Sequence, residues 1–162
     1  MLQGHQVIIL RIMKILIFAF KGTIAEKVAC LLDNQFDKNI VKSSVSDIES
    51  FIRETNFTYY NYILGMGMYS GRDTNALRIE TICSSKFRNS KSKIATKPIP
   101  YFLQPSDGIK LARGIGNSWC NLVSYKLVRE FPKKPYTFVH IPRSYDPRTA
   151  ISSLEKQLVR VE

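Results

Sequence analysis

The feature that most constrains this 162-residue sequence is the run from Lys14 to Phe20, which is apolar at every position after its lysine. A strand without polar alternation is typical of a parallel sheet that is covered by helices on both faces. Because 44% of the residues are hydrophobic, the chain can fill one core of that kind. We therefore predict a single α/β domain over residues 13–162, starting at Met13. Residues 1–12 are predicted to be a leader that the fold does not need or that is not native to it.

Strand and helix signals alternate along the rest of the chain. Caps and periodic apolar residues predict helices at about 24–33, 46–55, 106–113, 119–130 and from 147 onward. Branched and aromatic residues predict strands at about 39–45, 59–65, 77–83, 99–103 and 136–141, with a glycine-containing turn at 65–72. Repeated βα units predict a three-layer α/β/α domain with a mainly parallel, twisted sheet.

The formal net charge of +11 favours acidic partners, nucleic acid among them. The densest basic stretch, Lys86 to Lys97, lies among Ser and Asn, contains Phe87 as its only aromatic residue and matches no nucleic-acid motif. We interpret it as a solvated loop and expect no nucleic-acid partner. Arg11 and Lys14 interrupt the longest apolar run, so we expect neither a membrane span nor a secretory signal and predict a cytoplasmic location.

The three cysteines, Cys30, Cys83 and Cys120, form no C-x-x-C pair, so the sequence predicts neither a disulfide framework nor a zinc site. It also contains no P-loop or dinucleotide fingerprint, and we expect no metal and no cofactor. Cys30 lies mid-helix among apolar residues and is predicted to be an inert core residue. Cys83 follows a predicted strand without an obvious base, which favours a structural role.

Cys120 is the candidate nucleophile, because it lies in the first turn of a predicted helix. The unpaired backbone N–H groups and the dipole at that position lower the pKa of a thiol, and they can also bind an oxyanion. His140 is the candidate base, since His5 lies in the doubtful leader. It falls near the carboxyl end of a predicted strand, where α/β sheets build their sites. The alternative is a histidine packed in or beside the core.

A cysteine–histidine pair is usually oriented by a third group, and Glu80 is the candidate because it lies in an otherwise mostly apolar strand. The alternative for Glu80 is an outward-facing strand residue paired with a lysine.

Several segments resemble one family, the pyroglutamyl-peptidase I (pyrrolidone carboxyl peptidase) cysteine peptidases. Asn117-Ser-Trp-Cys-Asn121, which opens an amphipathic helix, is similar to the nucleophile segment of that family. Tyr136-Thr-Phe-Val-His-Ile-Pro142 is similar to its histidine strand. Gly67-Met-Tyr-Ser-Gly-Arg72 resembles the turn before its catalytic glutamate, and Ile99-Pro-Tyr-Phe102 the segment ahead of its nucleophile helix.

The resemblance implies a peptidase that removes N-terminal pyroglutamyl residues from peptides through a thioester, and hence a peptide substrate with a blocked N-terminus. It assigns Cys120 as nucleophile, His140 as general base and acid, and Glu80 as the residue that orients the histidine. It also implies substrate contacts, with Arg72 near the oxyanion; the assigned residues are Arg72, Gly71, Phe20 and Trp119. Because bacterial members of the family are often oligomers, it further implies self-association.

Three features differ from the family pattern. Phe20-Lys-Gly-Thr23 enters a helix almost at once, where the family has a longer loop that contacts the lactam ring. Counting from Arg72, the position of the family glutamate holds Arg78, so Glu80 requires a local insertion of two residues. Trp119 replaces a usually smaller or aliphatic residue. These differences leave two alternatives: a peptidase-like protein that binds an acidic partner or nucleic acid through its basic surface, and a hydrolase of another amide or ester.

Overall fold

A computed structural model describes residues 13–161. The predicted leader, with His5, lies outside the described residues. The strands within this range are β1 (Ile15–Phe20), β2 (Asp37–Val41), β3 (Tyr62–Tyr69), β4 (Leu77–Glu80), β5 (Ile82–Ser84), β6 (Thr96–Pro98), β7 (Ile109–Ala112) and β8 (Tyr136–Pro142). The α-helices of the same range are α1 (Ile24–Leu31), α2 (Val45–Glu54), α3 (Trp119–Glu130) and α4 (Pro147–Leu158).

Six strands form the main sheet, in the order β2-β1-β3-β8-β4-β7. Each pairing is parallel except the one between β4 and β8. Helices α1 and α4 cover one face, and α2 and α3 cover the other. The predicted three-layer α/β/α architecture with a mainly parallel sheet is confirmed. β5 and β6 form a separate antiparallel pair beside α3, the helix that contains Cys120.

β1 lies inside the sheet, and every one of its side chains is buried. Alternate residues enter the two cores, so that Ile17 packs on the side of α1 and α4 while Phe18 packs on the side of α2 and α3. This explains why the run at the start of the sequence has no polar alternation.

Side-chain caps fix the starts of three helices. Thr23 accepts a hydrogen bond from the backbone N–H of Glu26 at α1, as predicted, and Asp146 caps α4 ahead of Pro147. At α2, the cap is Ser44, which accepts from the Asp47 N–H. The sequence predicts Ser46 as the cap of this helix, two residues after the observed one.

The predicted helix at 106–113 is wrong, because this segment contains the edge strand β7, parallel to β4. Ser106 and Ile109 exchange two backbone hydrogen bonds around a tight turn, in which Gly108 takes a φ of +75°. Ser106 therefore closes a turn and does not cap a helix.

Three predicted strands also differ from the structure. β3 begins three residues later than predicted and continues through Gly65 and Gly67, which were assigned to a turn. The strand predicted at 77–83 divides into β4 and β5, because β5 leaves the main sheet to pair with β6. Residues 99–103 form no strand, although Ile99 and Leu103 are buried.

The lysine-rich segment lies largely in the exposed connection between β5 and β6. Most of its side chains face solvent, as expected for a solvated loop. None of the helices formed by residues 13–161 has the length and apolar character that crossing a membrane requires.

Candidate active site

The candidate site lies at the carboxyl end of β3 and β8, on the face that α2 and α3 cover. Gly67 of β3, His140 of β8 and Arg78 of β4 are neighbours in register across the sheet. Because β4 is antiparallel to β8, Glu80 lies two register pairs further from this edge, opposite Phe138. Residues two apart on a strand share a face, so Arg78 and Glu80 project on the same side as His140.

Glu80 and His140 form a buried pair. Glu80 is fully buried, His140 is 5% exposed, and Oε1 lies 2.8 Å from Nδ1 of the imidazole. An ionised carboxylate only accepts hydrogen bonds. With Glu80 in that form, Nδ1 carries a proton and donates a hydrogen bond to Oε1. Nε2 of the neutral ring is then the free acceptor, which is the tautomer that a general base needs. The alternative for Glu80, an outward-facing residue paired with a lysine, does not agree with the structure, because the carboxylate faces inward. The alternative for His140, a histidine packed in or beside the core, agrees with its burial but does not account for its pairing with Glu80.

The thiol of Cys120 reaches the same region from the first turn of α3, where it rests on the bare backbone of Gly67. A Cβ atom at position 67 would lie 2.5 Å from Sγ, so only glycine lets the helix approach the sheet this closely. The register partner of Gly67 on β8 is His140. The sulfur therefore lies over the residue of β3 that is paired with His140.

Burial raises the pKa of the Cys120 thiol from 9.0 to about 12, and the nearby Glu80 carboxylate also raises it. A hydrogen bond from the residue's own backbone N–H acts in the opposite direction and is the weaker effect. The predicted lowering of this pKa is wrong for the structure described, because removing the thiolate from water costs more than the helix terminus returns. The thiol is protonated at neutral pH in this state.

The N-terminus of α3 leaves donors available next to the thiol. Ser118 is the N-cap residue, but its side chain makes no capping hydrogen bond. Leu122 is the first residue whose N–H donates to a helical carbonyl, that of Ser118, so the N–H groups before it have no carbonyl partner within the helix. Such groups can donate to an oxyanion that forms on a carbonyl attacked by Cys120.

Arg78 is a member of the site that the sequence reasoning missed. Its Nε lies 3.4 Å from Oε1 of Glu80, and its guanidinium carbon lies 4.1 Å from the ring centroid of Tyr69. The other oxygen of Glu80, Oε2, has no hydrogen-bond partner among residues 13–161. Only the register of β4 against β8, which depends on long-range pairing, places Arg78 here.

Asn121 is a second residue whose role the sequence did not reveal, although it stands in the segment that resembles the family. Its fully buried side chain accepts a hydrogen bond from the Ser84 N–H at 2.8 Å and donates to the carbonyls of Ser84, at 2.9 Å, and Lys86, at 2.5 Å. It thereby ties β5 and the start of the basic loop to α3, one residue after the thiol.

The same loop packs its aromatic residue against the residue before the thiol. The ring centroids of Phe87 and Trp119 are 5.1 Å apart, and the guanidinium carbon of Arg88 lies 4.4 Å from the Trp119 ring. Trp119 is half-buried and forms one wall beside Cys120.

The remaining residues assigned to substrate contacts lie at varying depth. Phe20 is buried in the core between the sheet and the α2–α3 layer. Gly71 and Arg72 are exposed in the loop after β3, and the backbone of Gly71 lies against the Tyr69 ring. Cys120 rests on Gly67, the register partner of His140, and His140 is bonded to Glu80, whereas Arg72 stays on the surface.

A cleft of about 440 Å³ lies at the carboxyl ends of β1, β3 and β8, on the other side of β3 from the thiol. Met68, the residue after Gly67, lines it together with Lys27 and Arg143. The short connection between β1 and α1 forms its remaining wall, and Gly22 takes a φ of +77° there. The sheet therefore separates this cleft from the Cys120 thiol, which packs on the side of α2 and α3.

The other two cysteines lie apart from the pair. Cys83 is buried, which raises its pKa to about 11. Cys30 is exposed on α1, so its predicted core position is wrong; the apolar face of that helix uses Val28 and Ala29. In the described part of the chain, no three His, Cys, Asp or Glu side chains form a group that could hold a metal ion.

No protein-family model matches the sequence, and no curated protein matches it. Solved structures do match the fold. A pyrrolidone carboxyl peptidase from Thermus thermophilus superposes with a TM-score of 0.70 at 13% identity, covering 89% of this chain and 98% of that one. For pyroglutamyl peptidase I from Bacillus amyloliquefaciens, the TM-score is 0.72 at 14% identity, with 91% and 93% covered.

A third match, the pyrrolidone carboxyl peptidase from Thermococcus litoralis, has a TM-score of 0.61 at 14% identity, covering 80% of this chain and 76% of that one. The chain therefore has the fold of the pyrrolidone carboxyl peptidases, as the sequence resemblance implied.

Replacing the buried amide by Asn121→Ala should destabilise the protein. The change removes three hydrogen bonds between α3 and the β5 segment, and we expect a loss of about 3 kcal/mol in the free energy of unfolding. Urea denaturation measures it. Asn117→Ala is the matched control, because that exposed side chain donates only one bond, to the Arg88 carbonyl. Equal losses in the two variants would contradict the clamp.

Stability should fall at alkaline pH because of the buried thiols. The pKa of Cys120 is raised on folding, so the unfolded chain releases this proton first, and unfolding becomes easier as pH rises above about 9. At about pH 10.5 this thiol lowers the free energy of unfolding by about 2 kcal/mol. Cys120→Ala should lose that part of the pH dependence, whereas the exposed-site control Cys30→Ala should keep it. An identical pH dependence in Cys120→Ala and the parent would refute the assignment.

Proposed function

We propose that this protein is a cysteine peptidase that releases N-terminal pyroglutamyl residues from peptides. The observation that carries the proposal is the buried pair of Glu80 and His140, 2.8 Å apart, beside the glycine on which the Cys120 thiol rests. The shared fold with pyrrolidone carboxyl peptidases supports it. A peptide with a blocked N-terminus is the proposed substrate, in the cytoplasm.

In the proposed reaction, His140 acts first as a general base. Because burial keeps the Cys120 thiol protonated, Nε2 takes its proton as the sulfur attacks the scissile carbonyl, and no preformed thiolate is required. The first-turn N–H groups of α3 donate to the resulting oxyanion. The imidazolium then gives its proton to the leaving amine, and a thioester forms at Cys120.

The second half of the reaction repeats these roles with water. His140 takes a proton from a water molecule that attacks the thioester, and returns it to the departing sulfur. Throughout, Glu80 holds Nδ1 and stabilises the positive charge that the ring carries between steps. The antiparallel pairing of β4 with β8, which brings Oε1 of Glu80 to 2.8 Å from Nδ1, supports this role.

Substrate contacts are proposed for residues around the pair. Trp119 offers an aromatic wall, and Gly71 with Arg72 forms the loop above β3. Phe20, which is buried, would act by shaping the floor of the site and not by direct exposure. The connection between β1 and α1 is too short to enclose the lactam ring of a pyroglutamyl residue. The proposed substrate site therefore stays open next to this connection.

The test is release of a fluorogenic amine from a pyroglutamyl amide by the purified chain. Cys120→Ser and His140→Ala should each lower kcat/KM by at least about 10³-fold, since each removes a reacting group. Cys30→Ser is the matched control and should keep full activity, because Cys30 is exposed on α1. Circular dichroism verifies that all variants fold.

The outcomes separate the alternatives. Turnover that survives in Cys120→Ser would refute the nucleophile. Turnover of other amides or esters that needs Cys120, without a pyroglutamyl preference, would replace the substrate but keep the chemistry. An inactive parent on every amide and ester would favour a peptidase-like fold used for binding an acidic partner or nucleic acid.

Two substitutions of Glu80 should separate orientation from charge. In Glu80→Gln, the amide oxygen can still accept from Nδ1 of His140, so only the charge is lost and kcat should fall about 10- to 100-fold. In Glu80→Ala, both are lost, and we expect about 10³- to 10⁴-fold. The control is Glu49→Gln, whose carboxylate is exposed on α2 and paired with Lys126. Glu80→Ala activity equal to that of the parent would exclude Glu80 from catalysis.

A further inference from the structure

We propose that Arg78 makes the site selective for substrates that carry a negative charge next to the scissile bond. This inference rests on the proposed hydrolase and names its substrate class. Three observations lead to it: the position of the guanidinium beside the imidazole, the aromatic ring that holds it there, and the hydrogen-bond donors that it leaves unused.

The guanidinium and the imidazole flank one carboxylate oxygen. Oε1 of Glu80 accepts from Nδ1 of His140 at 2.8 Å and lies 3.4 Å from Nε of Arg78. Arg78 and His140 are also register partners on β4 and β8. The positive group therefore lies beside the imidazole that would receive the proton of the thiol.

Tyr69 holds the guanidinium in place. Its ring centroid lies 4.1 Å from the guanidinium carbon of Arg78 and 6.1 Å from the His140 ring centroid. The backbone of Gly71 packs on the same ring, so that the loop after β3 fixes the orientation of Tyr69. The Arg78 side chain is 14% exposed, which places it at the rim of the site and not deep in the core.

Most donors of Arg78 are unused. Arginine commonly binds a carboxylate through two parallel N–H groups, but Glu80 engages Nε alone, at a long distance. Within the guanidinium of Arg78, Nε is the only nitrogen that has a hydrogen-bond acceptor among the described residues. The terminal amines are therefore available to a second carboxylate, supplied by the substrate.

The surroundings have the same sign of charge. Arg72 is exposed on the loop after β3, and Lys27 and Arg143 lie at the same carboxyl edge of the sheet but around the cleft on its opposite face. Lys110, the neighbour of Arg78 on β7, is compensated by its salt bridge to Asp73. An anionic substrate thus meets a basic approach to the site.

The charge preference can be measured on the thiol itself, without any turnover. Iodoacetate and iodoacetamide have similar size, but only iodoacetate is anionic. We expect the iodoacetate-to-iodoacetamide rate ratio to be about tenfold higher at Cys120 than at Cys30, the exposed reference in the same chain, as mass spectrometry of the modified peptides would show. A Cys120 ratio no higher than that of Cys30 overturns the proposal, even if no Arg78 variant folds.

Substitution assigns the effect to one residue. Arg78→Gln should bring the Cys120 ratio down to that of Cys30, whatever it does to the two absolute rates. Lys93→Gln removes one positive charge from the exposed basic loop and should leave the ratio unchanged. If Arg78→Gln leaves the Cys120 ratio intact, or lowers both rates equally, Arg78 serves only Glu80 and the proposal fails.

Turnover provides a separate test of the two proposals. With peptides that carry Glu or Gln directly after a pyroglutamyl residue, the parent should prefer Glu in kcat/KM, and Arg78→Gln should lose that preference. Absence of turnover together with a raised Cys120 ratio would refute the pyroglutamyl substrate and keep the anion site. Turnover without any preference for Glu would do the reverse.

Discussion

Glu80 and His140 face each other across β8 and β4 in a layer of the protein that excludes water. A carboxylate in that position is costly unless it is paired, and here the imidazole and a guanidinium share one of its oxygens. The pairing needs β4 to run antiparallel to its neighbour, since only this direction sets Glu80 deeper than Arg78 on the same face. The reversed direction of β4, which with β7 runs opposite to the other four strands of the sheet, thus determines how the imidazole is oriented and which charge lies at the rim.

Two opposing effects determine the protonation state of the Cys120 thiol. A helix N-terminus favours a thiolate, but burial against Gly67 and the nearby carboxylate favour the protonated form, and the second influence is larger. In the proposed reaction, a protonated thiol makes the chemistry depend on the imidazole, because the sulfur would attack only as the ring accepts its proton. The orientation of His140, and therefore the charge on Glu80, matters more here than it would in a site with a preformed ion pair.

Local sequence patterns were sufficient for the elements that carry the site. The apolar run predicted β1, the aromatic and aliphatic strand predicted β8, and the spacing after Ser118 predicted α3 from its first residue. Patterns failed where distant pairing decides the outcome. The segment Ile109–Ala112 is a strand because β4 lies beside it, and the exposure of Cys30 depends on which face of α1 meets the sheet. The close approach at Gly67 is likewise invisible in sequence, because it joins two elements that are far apart in the chain.

Two of the departures from the family pattern bear on the proposed recognition and not on the proposed reacting groups. The β1–α1 connection is short, and the two-residue shift before Glu80 brings Arg78 to the rim. A neutral ring needs enclosure by apolar walls, whereas an anion needs a few well-placed donors and tolerates an open approach. In the proposed site, the lost wall and the gained guanidinium therefore act in the same direction. Each makes substrate binding depend less on shape complementarity and more on charge.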